Sequence, residues 1–139
     1  MRFHETRLHV RFNEVDMYRV AWHGHYVAWL EVGRNDLAGR FLMDAGHLEK
    51  LGFLGPVVSL EIKYLSPAFL NDEIFVRSRI NPTETATILF QQEIIAADGR
   101  KLATGVTTHV LTDMNGVMQF KIPTEITKRL DDMKKWLNS

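Results

Sequence analysis

The stretch from Asp16 to Arg34 holds the residues whose types and spacing could carry out chemistry. Asp16 stands seven positions before His23, and a helical pattern begins near His23 or Gly24. A carboxylate can act as a general base or as a nucleophile. The first turn of a helix has unpaired N–H groups at the positive end of the helix dipole, which suits a developing negative charge. Asp16 and the helix start therefore form a candidate active site, although aspartate also commonly stabilises a turn without any catalytic role.

The helix that follows Asp16 is predicted to run from about residue 24 to about residue 42. Its apolar residues follow the i, i+3, i+4, i+7, i+11 spacing that places side chains on one helix face. Glycine on that face lowers helix propensity by about 1 kcal/mol relative to alanine. We therefore expect Gly33 to mark a close approach of the helix backbone to a sheet. The residues of this face are Tyr26, Trp29, Leu30, Gly33 and Leu37.

Composition and charge narrow the class of protein. The chain has 139 residues, enough for a single domain (1–139) with a full core. Its 17 basic and 17 acidic residues give a net charge of zero, so we expect no nucleic-acid partner, because such proteins usually have a basic surplus. A net charge of zero is also compatible with self-association. The absence of cysteine excludes disulfides and thiolate chemistry.

No apolar run approaches the length needed to cross a membrane, and residues 1–5 lack the apolar core of a signal peptide. We therefore expect no membrane span and a cytoplasmic protein.

The rest of the chain is dominated by strands. Residues 5–13 alternate, with Leu8, Val10 and Phe12 predicted to face inward. Strands are predicted at 57–65, 73–80, 86–97 and 101–112, with a short strand at 117–120 and a closing helix after Pro123. On the first of these, Val58, Leu60, Ile62 and Tyr64 are predicted to face inward. The pattern indicates an α+β fold with a mostly antiparallel sheet and one long helix.

A single long helix covers only one face of such a sheet. The other face is predicted to carry Phe75, Leu89, Ile95 and Leu111 among charged residues, a mixture too apolar for water. We therefore expect at least a dimer.

The residues along this helix resemble those of the hotdog-fold acyl-CoA thioesterases of the 4-hydroxybenzoyl-CoA thioesterase type. In that family an acidic residue is followed seven positions later by histidine, and then by tyrosine, an aromatic residue, glutamate and arginine. A second similar stretch comprises Ile62, Tyr64, Pro67, Ala68 and Asp72, and the whole resemblance covers about residues 5–122. The helix pattern is matched by Asp16, His23, Tyr26, Trp29, Glu31 and Arg34.

The resemblance implies an antiparallel β-sheet wrapped around one long central helix, and hydrolysis of an acyl-CoA thioester without a cofactor. It also implies a homodimer or homotetramer with the acyl site between subunits. Asp16 would be the base or nucleophile, and the backbone N–H groups of His23 and Gly24 would bind the oxyanion; the ring of His23 is an alternative contributor. Glycine usually stands where this chain has Arg19, which either alters the loop or adds a cation beside the substrate.

Further side chains are candidates for substrate binding. Trp22 and Tyr26 are candidates for contacts with the substrate, and Trp22 equally fits a packing role. Ser59 points away from the inward side of its strand, so it either reaches a neighbouring site or is simply exposed to solvent.

A metal site and two other functions compete with cofactor-free thioester hydrolysis. His23 and His25 have the spacing of a metal pair, but further ligands would have to come from carboxylates or from the distant His4, His9, His47 and His109, so we expect no metal. An acyl-thioester hydratase or dehydratase on the same fold would have a His-Phe-Pro loop, or an aspartate and a histidine five apart, and neither occurs here. A non-catalytic acyl-CoA-binding module would be expected to lack the carboxylate that Asp16 supplies.

Overall fold

The computed structural model describes residues 2–139, and its centre is a five-stranded antiparallel sheet in the order β1-β4-β5-β6-β3. The α+β class and the antiparallel sheet predicted from the sequence are confirmed. The short strands β2 and β7 pair with each other outside this sheet. In chain order the elements are β1 (His4–His9), α1 (His23–Arg40), α2 (Ala45–Lys50), β2 (Phe53–Leu54), β3 (Val57–Tyr64), β4 (Glu73–Asn81), β5 (Thr87–Ala96), β6 (Lys101–Val110), β7 (Thr112–Asp113) and α3 (Thr124–Leu137).

Helix α1 packs on the sheet with the face that the spacing predicts, because all five residues of that face are buried. Gly33 is the point of closest approach, since a Cβ atom there would overlap the side chain of Val76 on β4. Nearby, the side-chain amide of Gln92 on β5 donates a 2.8 Å hydrogen bond to the backbone carbonyl of Leu30. Apolar packing and a buried polar contact therefore hold the middle of α1 against the sheet.

Helix α3 extends the core on the same side of the sheet as α1. This helix was predicted after Pro123, and its apolar stripe (Ile126, Leu130, Met133 and Leu137) is buried. These residues form one apolar cluster with Leu37 of α1 and with inward-facing residues of β4 and β5. Leu111 belongs to this cluster and is 1% exposed, so the expectation that it lies on the outer face is wrong.

Two of the predicted strand positions are also wrong. Phe12 is 82% exposed because the chain leaves β1 after His9 and forms a short 3-10 turn over Phe12–Glu14. Residues 117–120 form no strand; only an isolated bridge joins Met118 to Thr112. Both segments lie where the chain turns, and there local backbone hydrogen bonds override side-chain alternation.

Strand β3 lies at the edge of the sheet and pairs only with β6. Of the four residues predicted to face inward on it, only Ile62 packs against the core. The other three are 38–54% exposed. An edge strand with exposed apolar residues is a common site of chain association.

Candidate functional site

Asp16 begins a tight hairpin that leads into α1. The hairpin stem is an antiparallel bridge between Val15 and Ala21, and the Asp16 N–H donates to the carbonyl of Val20 at 3.0 Å. The N–H of Trp22 then donates to the carbonyl of Glu14 at 3.0 Å, immediately before the helix begins at His23. The hairpin that begins at Asp16 thus continues directly into the first turn of α1.

The carboxylate of Asp16 is exposed and is only partly engaged. Its Oδ1 atom accepts a 2.8 Å hydrogen bond from the N–H of Tyr18, the turn-stabilising contact expected of aspartate. No described residue donates to Oδ2. One oxygen therefore fixes the side chain while the other is available to a ligand.

Arg19 has a left-handed backbone conformation, with φ at +64°. This conformation is unfavourable for side chains other than glycine, at a cost of roughly 1–2 kcal/mol. The loop nevertheless closes, because the Arg19 N–H donates to the carbonyl of Asp16 at 2.9 Å. Arginine here keeps a backbone shape that suits glycine, and it adds an exposed guanidinium beside Asp16.

The first turn of α1 offers free donors. Trp22 is the N-cap residue and its side chain makes no capping hydrogen bond. The N–H of His25 donates to the Trp22 carbonyl, whereas the N–H groups of His23 and Gly24 have no acceptor among the described residues. Donors at the start of an 18-residue helix can bind an anion or stabilise an oxyanion.

The indole of Trp22 lies against this first turn. A Cβ atom at Gly24 would overlap the ring, so glycine is needed for the ring to lie there. The ring also contacts His23 and His25, with centroid distances of 4.9 and 5.6 Å, and Trp22 remains 53% exposed. Trp22 therefore forms an apolar wall over the free donors.

Tyr26 and Tyr64 connect the helix start to the strands. Tyr64 donates a 2.9 Å hydrogen bond from its hydroxyl to the carbonyl of His23. Tyr26 is 3% exposed, and its hydroxyl accepts a 2.9 Å hydrogen bond from the N–H of Ala68 and donates to the carbonyl of Ser66. Burial raises the pKa of Tyr26 above its usual value. Its hydroxyl thus stays protonated and engaged with the backbone of residues 66–68.

An open cleft of about 330 Å³ lies beside the helix start. It is lined by His23, Tyr26 and Tyr64, together with Ala21 and the segment from Leu65 to Pro67. A flexible acyl or pantetheine-like chain could lie along such an apolar channel.

Ser59, one of the predicted residues, lies apart from this cluster, whereas the ring of His23 lies at the cleft. Ser59 lies on the exposed edge strand β3, opposite Thr108 of β6, and no described contact brings it to the helix start. His23 has an exposed side chain and meets Tyr64 edge-on at 6.1 Å, so its ring faces the cleft. Within residues 2–139, no three His, Asp or Glu side chains converge as a metal site would require.

The supporting contacts of three residues were not predicted from the sequence. Tyr64 was expected in the core, and only the structure reveals its bond to His23. Glu14 accepts hydrogen bonds from the indole N–H of Trp29 and the N–H of Arg11, which braces the start of the hairpin. Arg100 donates to Asp72 and to the carbonyl of Pro67, bracing the far wall of the cleft. These contacts join residues far apart in sequence, so no local pattern signals them.

Residues 10–137 match the family model of the thioesterase-like superfamily. The chain belongs to this superfamily. Its resemblance to the hotdog-fold thioesterases is therefore confirmed, and so is its assignment as a thioesterase.

Similar proteins support the same assignment. The Bacillus subtilis protein named "Putative acyl-CoA thioesterase YneP" is 26% identical over 113 residues, which are 81% of this chain and 82% of that protein. The structure of DHNA-CoA thioesterase from Staphylococcus aureus has a TM-score of 0.86 and 21% identity, covering 99% of this chain and 95% of that one. Protein SAV2348 of the same organism was solved in complex with CoA. It has a TM-score of 0.86 and 13% identity, covering 96% of this chain and 84% of that one. These two structures show that the thioesterase has the hotdog fold.

No helix within the described part of this thioesterase is both long and apolar enough to cross a membrane.

Proposed function

We propose that this protein hydrolyses an acyl-CoA thioester to the free acid and coenzyme A at the start of α1. The observation that supports the proposal is the hairpin pairing, because the hairpin that begins at Asp16 leads directly into the unpaired N–H groups of His23 and Gly24. Hydrolysis needs both a base or nucleophile and a donor set for the oxyanion, and both are present within this one segment.

The chemistry follows from these groups. Asp16 as general base removes a proton from water, and the water oxygen bonds to the thioester carbonyl carbon. The carbonyl oxygen becomes an oxyanion and is held by the helix-start N–H groups. When the tetrahedral intermediate collapses, the carbon–sulfur bond breaks and the thiolate of coenzyme A leaves and takes up a proton. As a nucleophile, Asp16 itself would bond to the carbonyl carbon, the carbon–sulfur bond would break with release of the coenzyme A thiolate, and water would then hydrolyse the resulting anhydride to the free acid and the Asp16 carboxylate.

The relatives favour acyl-CoA as the substrate class. The YneP protein carries an acyl-CoA thioesterase name, and SAV2348 was solved with CoA. The open, apolar cleft beside His23 offers room for the chain on either side of the thioester.

The direct test is Asp16→Asn, assayed against a panel of short, long and aromatic acyl-CoAs. Asparagine retains an oxygen that accepts the Tyr18 N–H, so the hairpin should keep its shape. Loss of the base should lower kcat by about 10²- to 10⁴-fold. The matched control is Asp113→Asn, because Asp113 stabilises a turn by the same kind of contact, with Asn115 and Val117. Near-normal hydrolysis by the Asp16 variant would refute the assignment.

Labelled water tests the nucleophilic role of Asp16. In a single turnover in H₂¹⁸O, ¹⁸O enters the Asp16 carboxylate only if Asp16 is the nucleophile and water attacks the aspartyl carbonyl of the anhydride, and mass spectrometry of the Asp16 peptide detects this label. An unlabelled peptide with ¹⁸O in the product acid is the result for a general base, and also for an anhydride that water attacks at its acyl carbonyl.

We also propose that the working unit is a homodimer or a tetramer built from dimers, joined along the β3 edge. This edge has unpaired backbone groups and exposed Val57, Val58 and Leu60. A second copy of the same strand would pair with these backbone groups and would cover the exposed apolar side chains. Ser59 and Tyr64 lie on this strand, so the pairing would bring the partner close to the cleft.

Sedimentation velocity at micromolar concentration tests this interface. Val58→Lys places a charge on the edge and should produce monomers with reduced hydrolysis. Val117→Lys is the control, because Val117 is similarly exposed at 58% but lies in a loop away from β3. A stable, fully active monomer of the unmodified protein would contradict the proposal.

A further inference from the structure

A second cavity, of about 220 Å³, lies along the far half of α1. We call it the Arg34 cavity. Arg34 is 11 residues beyond His23 on the same helix, which corresponds to about 16 Å along the helix axis. The Arg34 cavity is therefore separate from the cleft at the helix start. Its apolar lining comes from Met43, Leu48, Ile88, Phe90 and Leu111.

Arg34 is a buried cation whose charge is only weakly balanced by nearby anions and hydrogen-bond acceptors. It is 9% exposed, and its guanidinium makes no hydrogen bond to any described residue. Its one described ion pair is a loose contact of 3.8 Å with Glu31, whose side chain is 61% exposed. Burial lowers the pKa of Arg34 from its usual value, and Glu31 opposes that change. A buried guanidinium normally pairs with an anion through several hydrogen bonds.

His109 lines the same cavity from β6. Its Nδ1 atom donates a 2.8 Å hydrogen bond to the carbonyl of Gly55, since a carbonyl can only accept. Its Nε2 atom is buried and has no partner among the described residues. Burial lowers the pKa of His109, and the positive charge of Arg34 lowers it further, whereas the Gly55 bond and Glu31 oppose the shift. His109 is therefore a neutral imidazole whose Nε2 is an acceptor.

We propose that the Arg34 cavity binds the carboxyl group of a small apolar acid, with Arg34 as its anion contact and His109 as its proton-sharing neighbour. One carboxyl group satisfies both residues. One oxygen accepts from the guanidinium, and a proton is shared between the other oxygen and Nε2. The apolar lining then covers the hydrocarbon part of the acid.

Binding in this way takes up one proton, because the free carboxylate and the neutral imidazole together lack it. Affinity should therefore rise as pH falls from 8 to 6, by up to about tenfold per pH unit. Other titratable groups near the cavity are Glu31 on α1 and Asp44 with its partner His47 at α2; the residues that β5 contributes are apolar. The hydrogen bond from His47 lowers the pKa of Asp44, and this pair is therefore tested separately by a substitution at His47.

Calorimetry with octanoate is the first experiment, and it does not depend on the proposed hydrolysis. The unmodified protein should bind octanoate saturably, and Arg34→Met should weaken binding at least tenfold. Arg40→Met is the control, since Arg40 lies on the same helix but stacks on Trp136 outside the cavity. His109→Gln should abolish the pH dependence, because glutamine can still donate to Gly55 but cannot take up a proton. His47→Gln should leave the pH dependence intact.

A second experiment identifies the source of the carboxyl group. On the Asp16→Asn background, hexadecanoyl-CoA is compared with an acyl-CoA of equal length whose acyl chain ends in a carboxylate, because a chain bound at the helix start must span about 16 Å to reach Arg34. If Arg34→Met weakens octanoate binding, the cavity takes free acids. If it weakens only the carboxylate-ended acyl-CoA, the cavity takes the far end of an acyl group. If Arg34→Met weakens neither, or weakens only self-association in sedimentation, the proposal is overturned.

Discussion

The hydroxyl of Tyr64, on the exposed edge strand β3, donates a 2.9 Å hydrogen bond to the backbone carbonyl of His23, the first residue of α1. This bond ties the helix start to the strand that is proposed to pair with a second copy. Any shift of β3 would therefore be transmitted to the N–H groups proposed to bind the oxyanion. Association and catalysis are thus expected to be coupled through a single side chain.

Tyr64→Phe removes this hydrogen bond and little else. A net contribution of about 0.5–1.5 kcal/mol corresponds to a loss of roughly 2- to 10-fold in kcat/KM if the bond positions the helix start. Hydrolysis assays should show this lower activity, and thermal unfolding should show a Tm lowered by roughly 2–5 °C. Tyr18→Phe is the control, since Tyr18 is 86% exposed and its hydroxyl makes no described contact. Equal activity of both variants would show that the bond does not support catalysis.

Gly24→Ala should displace the Trp22 ring, because the added Cβ atom would overlap it. The ring lies against the proposed oxyanion donors, and small misplacements in an active site can cost up to about 100-fold. We expect kcat to fall by about 10- to 100-fold. Gly39→Ala on the same helix is the control, as its Cβ atom would enter open space. The double variant Trp22→Ala/Gly24→Ala should recover part of the lost rate, and if it does not, the overlap with Trp22 is not the cause.

Gly33→Ala should destabilise the fold without changing the chemistry. The new Cβ atom would overlap Val76, and overpacking of this kind costs about 1–3 kcal/mol. The gain in helix propensity, about 1 kcal/mol, offsets part of this cost. Chemical denaturation should show a net loss of stability for Gly33→Ala and a small gain for Gly39→Ala. A gain for both would mean that the contact with β4 relaxes freely.

Periodicity predicted those parts of the fold in which one face of an element meets the core. The buried face of α1 and the Gly33 contact follow from helical spacing, and the inward positions of Leu8 and Val10 follow from alternation. Alternation failed on β3, because both faces of this strand remain exposed within one chain. It also failed at Phe12, where local turns replace the strand.

The candidate site likewise has one part that could be predicted from the sequence and another part that could not. Asp16 and the helix start lie within one short segment, so their proximity could be predicted. The Tyr64 bond and the Arg34 cavity join segments distant in sequence. They depend on strand register and on helix rotation, and no local pattern reports either.

Arg19→Gly separates the backbone role of Arg19 from the role of its charge. With φ at +64°, arginine costs roughly 1–2 kcal/mol in the folded state, whereas glycine loses about 0.5–1 kcal/mol through the greater freedom of its unfolded chain. The variant should therefore be more stable by about 1 kcal/mol or less. Leu42→Gly is the matched control, since Leu42 has φ at +59° at the far end of α1 and should gain similar stability with unchanged activity.

The charge of Arg19 should affect which substrates are preferred. Its exposed guanidinium has no described partner and lies in the Asp16 turn, where it can form paired hydrogen bonds with a carboxylate or phosphate of the substrate. Arg19→Gly should lower kcat/KM for acyl-CoAs with a charged acyl group while uncharged substrates keep most of their rate. An equal loss for all substrates would place Arg19 in the catalytic apparatus, because it would then act on the reaction itself rather than on the acyl group. An unchanged substrate ranking would mean that Arg19 contacts only solvent.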